Sequence, residues 1–311
     1  MDVCSPSAKK TFEKDNTCFS REALMRLATL WNTHNPNGSP ITSIVSKSKY
    51  SLWNEINNRM KAPCNGSGRE WCWIDTLGAR NSPVVSKSLR PVRPGKWYKK
   101  PYTWLSNYDI AAVMKQYESE PSNNYRFLGV FPIDFNLKDK FGHCLYEEIC
   151  MLDVAKFAKK GVKFIGLITN LDKHDEPGSH WTSTFICIDP SMECFGAYYY
   201  DSVSRSTPAD VETFMNKVKS QLSISSRPFK MQYNKYQEQK GNTECGMFSM
   251  LYQLRWLNAL KKNPNATFEE VMKHKMTDAD VHKYRTILFR ENTTEVLKKE
   301  LLKTKTQKLT V

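Results

Sequence analysis

Cys245 opens an apolar run in the stretch EQKGNTECGMFSML, a setting in which a thiol can act as a nucleophile. A thiol attacks a carbonyl carbon only as thiolate, so a catalytic cysteine needs a nearby base and a local field that favours negative charge. The apolar residues after Cys245 recur at helical spacing, which predicts that Cys245 lies in the first turn of a helix. A helix N-terminus favours thiolate, and its free N–H groups can bind an oxyanion. The alternative, which is more common for cysteine, is a small buried hydrophobic side chain.

Three other residues have the types that such a thiol would need. His180 stands at the start of a predicted strand, in PGSHWTSTFICID, where its side chain can face a cleft and act as the base. Asp201 ends another predicted strand, in YYYDS, and suits the role of orienting the imidazole and stabilising its charged form. Gln239, six residues before Cys245, offers a side-chain amide to an oxyanion. The ordinary alternatives are a surface or core histidine, a turn-forming aspartate and a solvated glutamine.

The elements that would position these residues begin near Trp104. Thr277 is expected to be the N-cap of the last predicted helix. Five runs rich in aromatic and β-branched residues are typical of strands: RFLGVFPIDF, VKFIGLITN, WTSTFICID, CFGAYYYD and PFKMQYN. Helices are predicted over DIAAVMKQYES, PADVETFMNKVKSQL, CGMFSMLYQLRWLNAL, NATFEEVMKHK and TDADVHKYRTILFRE. If the strands of His180 and Asp201 are adjacent, both side chains project from one edge of the sheet.

The first hundred residues have a different texture. Helices are predicted over SREALMRLATLWN, with Ser20 as N-cap, and over SKSKYSLWNEINNRM. The tract SKSLRPVRPGKWYKK then holds six Lys or Arg, two Pro and one Gly, and no acid between Lys87 and Lys100, which predicts a solvated, poorly ordered connector. Its aromatic residues also leave open phosphate contact and base stacking with nucleic acid.

Composition limits the class of protein. The chain has 311 residues, 40% of them apolar, which is enough for a real core. Its net charge of +14 favours polyanions or acidic surfaces as partners. Nine cysteines without a CxxC pair are typical of a reducing compartment. Neither a signal peptide nor a run of 18 apolar residues is present, so we expect a soluble protein without membrane contact, in the cytoplasm or inside a particle.

The motifs HW, YYYDS and Q-x5-C-G-M-F, in that order, closely resemble those of the Ulp/SENP cysteine peptidases, which share their fold with the adenovirus protease. WLSNYDI, NNRMKAP and MTDADVHKYRTILFRE extend the resemblance to the polyprotein-processing protease of African swine fever virus and related enzymes of large DNA viruses. The similarity covers about residues 104–291 and reaches more faintly back to about residue 50. The implied fold class is α+β, an adenain/Ulp-type core with a mixed central sheet flanked by helices and an N-terminal, mainly helical arm.

The resemblance implies a role for each candidate residue. Cys245 would be the nucleophile, His180 the general base, Asp201 the orienting acid, and Gln239 the oxyanion donor with the Cys245 backbone N–H. Trp181 and Trp104 would flank a narrow tunnel that admits only glycines before the scissile bond; the alternative for both is core packing. No cofactor and no metal is implied. We expect residues 1–103 to form the arm with a basic linker near 86–100, residues 104–291 the catalytic core, and residues 292–311 a basic tail.

Two positions depart from the patterns of the relatives. The cellular enzymes usually have Asp before the nucleophile, whereas this chain has Glu244, as in the viral type. The swine fever enzyme has Asn as third residue, whereas this chain keeps Asp201. We therefore expect a cysteine endopeptidase that cleaves after Gly-Gly and processes viral capsid or core polyproteins, in the host cytoplasm (the viral factory) and the virion interior. The alternatives are a deSUMOylating or deubiquitinating isopeptidase and, more distantly, a basic nucleic-acid-binding protein with a vestigial triad. DNA contact through the basic surface stays a hypothesis.

Overall fold

The chain forms two compact units in the computed structural model, which describes residues 3–64, 70–223 and 227–292. The helical unit comprises the described residues within Met1–Pro101 and Thr286–Val311. The sheet unit comprises the described residues within Tyr102–Arg285, including all six candidate residues. The expected basic tail, 292–311, falls almost wholly outside the described residues. Every helix within the described ranges is too short or too polar to cross a membrane.

The helical unit is built around two capped helices that the sequence predicted. Ser20 accepts a hydrogen bond from the backbone N–H of Ala23, and Ser48 accepts one from Ser51, so each serine satisfies a free donor at a helix start. Apolar side chains of the two helices, among them Leu24 and Leu52, are fully buried in one core. The helices of this unit are α1 (Lys9–Asp15), α2 (Arg21–His34), α3 (Lys49–Met60), α4 (Glu70–Thr76) and α5 (Pro83–Ser86).

Residues 86–100 differ from the poorly ordered connector that their composition predicts. Leu89 and Trp97 are buried, and the Trp97 ring meets Phe289 edge-on with centroids 5.0 Å apart. Val92 forms a parallel bridge with Arg290. Burial of these few apolar side chains fixes the segment, while Lys96 and its basic neighbours stay exposed.

Six of the nine cysteines are paired, which is at odds with the interpretation that the cysteine pattern is typical of a reducing compartment. The disulfides are Cys4–Cys18 and Cys64–Cys72 in the helical unit and Cys144–Cys150 in the sheet unit. Cys187, Cys194 and Cys245 are free and buried. No CxxC spacing marks these pairs, because the partners lie 14, 8 and 6 residues apart. Cys245 therefore remains available as a thiol.

The sheet unit contains the five strands that the sequence predicted, in the order of the chain. β1 pairs with β2 and β4 with β5 in parallel, whereas β2–β3 and β3–β4 are antiparallel. This mixed sheet with flanking helices confirms the expected α+β class. The strands are β1 (Tyr125–Phe131), β2 (Phe164–Asn170), β3 (Trp181–Cys187), β4 (Gly196–Tyr200) and β5 (Lys230–Tyr233). The helices that begin in this unit are α6 (Asn107–Glu118), α7 (Glu147–Cys150), α8 (Val154–Lys159), α9 (Ala209–Gln221), α10 (Cys245–Lys262), α11 (Phe268–Lys273) and α12 (Asp278–Leu288).

α10 is fixed on the sheet by aromatic stacking and one buried amide. The Trp256 ring stacks on Phe185 of β3 with centroids 4.8 Å apart, and Tyr252 stacks on Tyr200 of β4 at 4.6 Å. The Gln253 amide donates to the Thr184 carbonyl at 2.9 Å. Because α10 begins at Cys245, this packing fixes the thiol relative to the start of β3 and the end of β4.

Candidate active site

Cys245 is the first residue of the 18-residue helix α10, as its setting in the sequence predicted. Only 4% of the surface of Cys245 is exposed, so the thiol is largely shielded from water. Gly246 follows, and a Cβ at that position would lie 3.0 Å from Leu105 Cδ1 and 3.1 Å from Trp181 Cδ1. The glycine therefore allows the helix N-terminus to approach both residues closely. The free N–H groups of this helix end surround the thiol with partial positive charge.

His180 lies between Cys245 and Asp201. Its Nε2 is 2.7 Å from Asp201 Oδ1, and the Cys245 thiol is close enough to His180 to contribute to the pKa of the imidazole. Because Nε2 faces the carboxylate, Nδ1 is the ring nitrogen left for the sulfur. The residue is held at the end of the β2–β3 pair, where the Leu171 N–H donates to the His180 carbonyl at 2.9 Å.

The surroundings of His180 favour its charged form. Burial lowers the pKa of His180, but the hydrogen bond to Asp201 and the interactions with the negatively charged Asp201 and Cys245 together raise it to about 9. The imidazole is therefore protonated at neutral pH whenever the sulfur is a thiolate. Such an imidazolium–thiolate pair is the form in which a cysteine is nucleophilic.

Asp201 is fully buried and directly follows β4. Its Oδ1 accepts from the Val203 N–H at 2.9 Å as well as facing His180. Asn234 holds the Asp201 backbone on both sides: Asn234 Oδ1 accepts from the Asp201 N–H at 2.9 Å, and its Nδ2 donates to the Asp201 carbonyl at 2.7 Å. Sequence reasoning missed Asn234. The signal that could have revealed Asn234 is the parallel pairing of β4 and β5, because this pairing brings the ends of both strands to one sheet edge.

Gln239 is buried on the loop between β5 and α10. Its Oε1 accepts from the Ser202 hydroxyl at 2.7 Å, and its Nε2 donates to the Gly241 carbonyl at 2.8 Å. The amide is thus oriented by the residue after Asp201 and by the turn before Cys245. A carboxamide has two N–H donors, so the second is the one that could reach an oxyanion.

A cleft of about 390 Å³ opens at Cys245 and is lined by Trp104 and Trp181. The Trp181 indole N–H donates to the Leu105 carbonyl at 3.1 Å, and the Trp104 indole N–H donates to the Asn242 carbonyl at 2.9 Å. Trp104 is 45% exposed, so it is a surface residue rather than a core side chain. Phe131, Tyr146 and residues 176–179 also line the cleft. Among the residues that the structure describes, no group of three His, Cys, Asp or Glu is arranged to hold a metal.

The chain is similar to thiol proteases of large DNA viruses. It is 24% identical over 312 residues to a putative thiol protease of Acanthamoeba polyphaga mimivirus, covering 93% of this chain and 94% of the relative. It is 29% identical over 198 residues to a SUMO-1 cysteine protease of African swine fever virus, covering 60% of this chain and 67% of the relative. The chain therefore resembles the viral Ulp/SENP-like cysteine proteases in sequence. These relatives support cysteine protease activity for it.

The fold comparison agrees. The crystal structure of a protease of African swine fever virus superposes with a TM-score of 0.60 at 18% identity, over 94% of this chain and 96% of that chain. The two proteins therefore share a fold. No protein-family model matches the chain.

Proposed function

We propose that this viral-type cysteine protease uses a Cys245–His180–Asp201 triad with Gln239 as oxyanion donor, and that it cleaves after Gly-Gly in capsid or core polyproteins during virion maturation. The observation that carries the proposal is the position of His180, which lies 2.7 Å from the Asp201 carboxylate and close enough to the Cys245 thiol for both groups to raise its pKa. Action in the host cytoplasm and in the virion interior is part of the same proposal.

The chemistry follows from these contacts. His180 takes the Cys245 proton, and the thiolate attacks the carbonyl carbon of the scissile bond. The oxyanion forms against the Gln239 amide and the N–H groups at the start of α10. The His180 imidazolium then gives its proton to the leaving amine, which departs as the C–N bond breaks. Water, deprotonated by His180, attacks the thioester and releases the acid and the free thiol.

The Gly-Gly preference rests on the two tryptophans of the cleft. Trp104 and Trp181 are each held by an indole N–H bond to a backbone carbonyl, so neither ring swings aside without losing that bond. Glycine, which has no Cβ, is the residue whose backbone lies flat between such rings. We expect a side chain at either of the two positions before the cut to meet an indole.

A ubiquitin-like protein is the second candidate substrate. African swine fever virus relatives of this chain bear the name SUMO-1 cysteine protease, and such substrates present a free C-terminal tail to a cleft. The name of these relatives is the observation that favours a ubiquitin-like substrate. The net charge of +14 favours polyanions as partners, so DNA is included in the test as a candidate scaffold.

The deciding experiment compares substrates and cysteines. The wild-type protein, Cys245→Ala and the matched control Cys194→Ala, a second buried free cysteine, are incubated with a Gly-Gly-Xaa peptide and with fluorogenic SUMO and ubiquitin C-termini. We expect cleavage of the peptide by the wild type and the control, and a loss of about 10³-fold or more in Cys245→Ala. Cleavage of the SUMO substrate alone would show that the substrate is a ubiquitin-like protein and not a polyprotein. Equal rates for wild type and Cys245→Ala would end the triad assignment. A separate assay with duplex DNA at low salt tests whether DNA contact through the basic surface changes the cleavage rate.

A further inference from the structure

Arg285, on α12, has a buried guanidinium that contacts two segments at the cleft. Its side chain is 3% exposed. Nε donates to Glu244 Oε2 at 3.0 Å, Nη1 to the Thr103 carbonyl at 2.8 Å, and Nη2 to the Thr243 carbonyl at 3.4 Å. Thr103 directly precedes Trp104, and Thr243 and Glu244 directly precede Cys245. One cation thus connects the two segments that lead into Trp104 and Cys245, both of which line the cleft.

Glu244 supplies the charge that keeps this guanidinium in place. The carboxylate is buried, and its other oxygen faces His282 Nδ1 at 2.8 Å. The His282 ring stacks on Tyr102 with centroids 4.4 Å apart. A buried arginine is tolerated only with a paired anion and satisfied donors, and Glu244 and the two carbonyls meet both conditions.

The contacts of Arg285 join two segments that lead into the residues lining the cleft. We define the Trp104 wall as residues 104–107 and the nucleophile turn as residues 241–245. Arg285 binds the residue before the wall and the turn itself, and the Trp104 indole N–H binds the turn again at Asn242. Leu105 of the wall packs against Gly246. The guanidinium is therefore one of the contacts that hold the wall against the nucleophile turn.

We propose that Arg285, anchored by Glu244, is a positioning residue that fixes the Trp104 wall against the nucleophile turn and thereby sets the affinity of the cleft for an extended glycine segment. The substrate rests on the proposed function, whereas the positioning contact does not. The identity of residue 244 thus acquires a physical meaning: a carboxylate on a two-carbon arm reaches both Arg285 and His282. The thiolate itself depends on His180 and the helix N-terminus, which this contact leaves in place.

The first test is Arg285→Lys, which keeps the positive charge but lacks the fork of donors that reaches two carbonyls. We expect the KM for a Gly-Gly peptide to rise about tenfold while kcat stays within about threefold. The rate at which iodoacetamide alkylates Cys245 should change less than about twofold, because this small reagent does not bind against the Trp104 wall. Arg290→Lys is the matched control, because Arg290 is a similarly buried arginine paired with Asp75 in the helical unit. An unchanged KM in folded Arg285→Lys, or an equal rise in Arg290→Lys, would overturn the proposal.

A second variant covers the case in which Arg285→Lys fails to fold. Trp104→Phe keeps an aromatic ring at an exposed position and removes only the indole bond to Asn242. We expect a rise in KM for Trp104→Phe alone. Where Arg285→Lys folds, the double variant should raise KM by less than the product of the two single effects, because both bonds hold one wall. Independent effects, or no effect of Trp104→Phe, would overturn the proposal.

Hydrogen exchange separates this proposal from the substrate assignment. Arg285→Lys, or Trp104→Phe in its place, should speed amide exchange in residues 103–107 and 241–246 and leave β3 unchanged. If the wild-type protein cleaves no Gly-Gly peptide, the substrate assignment has failed, and this exchange pattern alone decides the positioning role. Unchanged exchange in both segments would overturn it.

Discussion

The Nε2 atom of His180 lies 2.7 Å from Oδ1 of Asp201, and both residues are buried. The register of the sheet produces this contact. Ser183 pairs with Tyr200 across the antiparallel β3–β4 ladder, so the residues before β3 and after β4 meet at the same edge. The pairing of adjacent strands thereby brings together two residues that are 21 positions apart in the sequence.

Replacement of Asp201 by Asn should test this contact directly. The amide retains the shape of the carboxylate but removes the charge that stabilises the imidazolium, so we expect kcat to fall about 10²- to 10⁴-fold. The pKa of His180 should also fall from about 9, because the negative charge of Asp201 is lost. Steady-state kinetics and the pH dependence of Cys245 alkylation measure both effects. A kcat within about threefold of wild type would contradict the proposed role.

The pH profile should reflect the raised pKa of His180. The protonated imidazole gives its proton to the leaving amine, so activity depends on a proton that is lost as pH rises through about 9. We expect kcat/KM to hold across neutral pH and to decline near pH 9, and the same decline to move to lower pH in Asp201→Asn. An alkaline limb that is identical in the two proteins would assign the titration to another group.

Removal of the Gln239 amide should separate acylation from thiol reactivity. Gln239→Ala loses the N–H donor that we assign to the oxyanion, and loss of one such donor costs about 10²- to 10³-fold in kcat. Alkylation by iodoacetamide forms no oxyanion, so its rate should stay within about threefold of wild type. Ser202→Ala, which frees the Gln239 carboxamide from one hydrogen bond, should show a smaller loss of kcat. Equal losses in cleavage and alkylation would indicate a structural role for Gln239.

A methyl group at Gly246 should narrow the approach of α10 to the cleft. In Gly246→Ala the new Cβ would lie 3.0–3.2 Å from atoms of Leu105 and Trp181, so these neighbours must shift by a few tenths of an ångström. We expect kcat/KM to fall about tenfold, because small displacements of binding groups have large kinetic effects. Gly95→Ala is the control, since no atom lies within 4 Å of the corresponding position. Wild-type kinetics in Gly246→Ala would show that the cleft adapts.

Local signals explain what the sequence predicted well. The helix starts at Ser20 and Thr277 follow from side chains that cap within three residues, and Thr277 Oγ1 indeed accepts from the Asp280 N–H at 3.2 Å. The five strands follow from runs of β-branched and aromatic residues. The positions of His180 and Asp201 at strand ends were enough to expect a shared edge. These inferences need no knowledge of distant partners.

Distant partners explain what the sequence did not predict. The sequence shows Glu244 where the cellular Ulp/SENP enzymes usually have Asp, but not that its carboxylate contacts His282 and Arg285, which are 38 and 41 residues further along the chain. The order of residues 86–100 depends on the burial of Leu89 and Trp97, which the surrounding charges conceal in a composition count. Long-range packing of this kind is not encoded in any local window.

The three disulfides and the free Cys245 thiol place opposite demands on a reductant. Thiol reagents reverse a sulfenate or a mixed disulfide at a nucleophilic cysteine, and the same reagents open structural bridges by exchange. Two of the bridges lie in the helical unit, and none includes Cys245. Dithiothreitol should therefore raise the initial rate while it lowers the melting temperature, since opening a cross-linked loop restores entropy to the unfolded chain. The enzyme would work fastest in a buffer in which it survives least long.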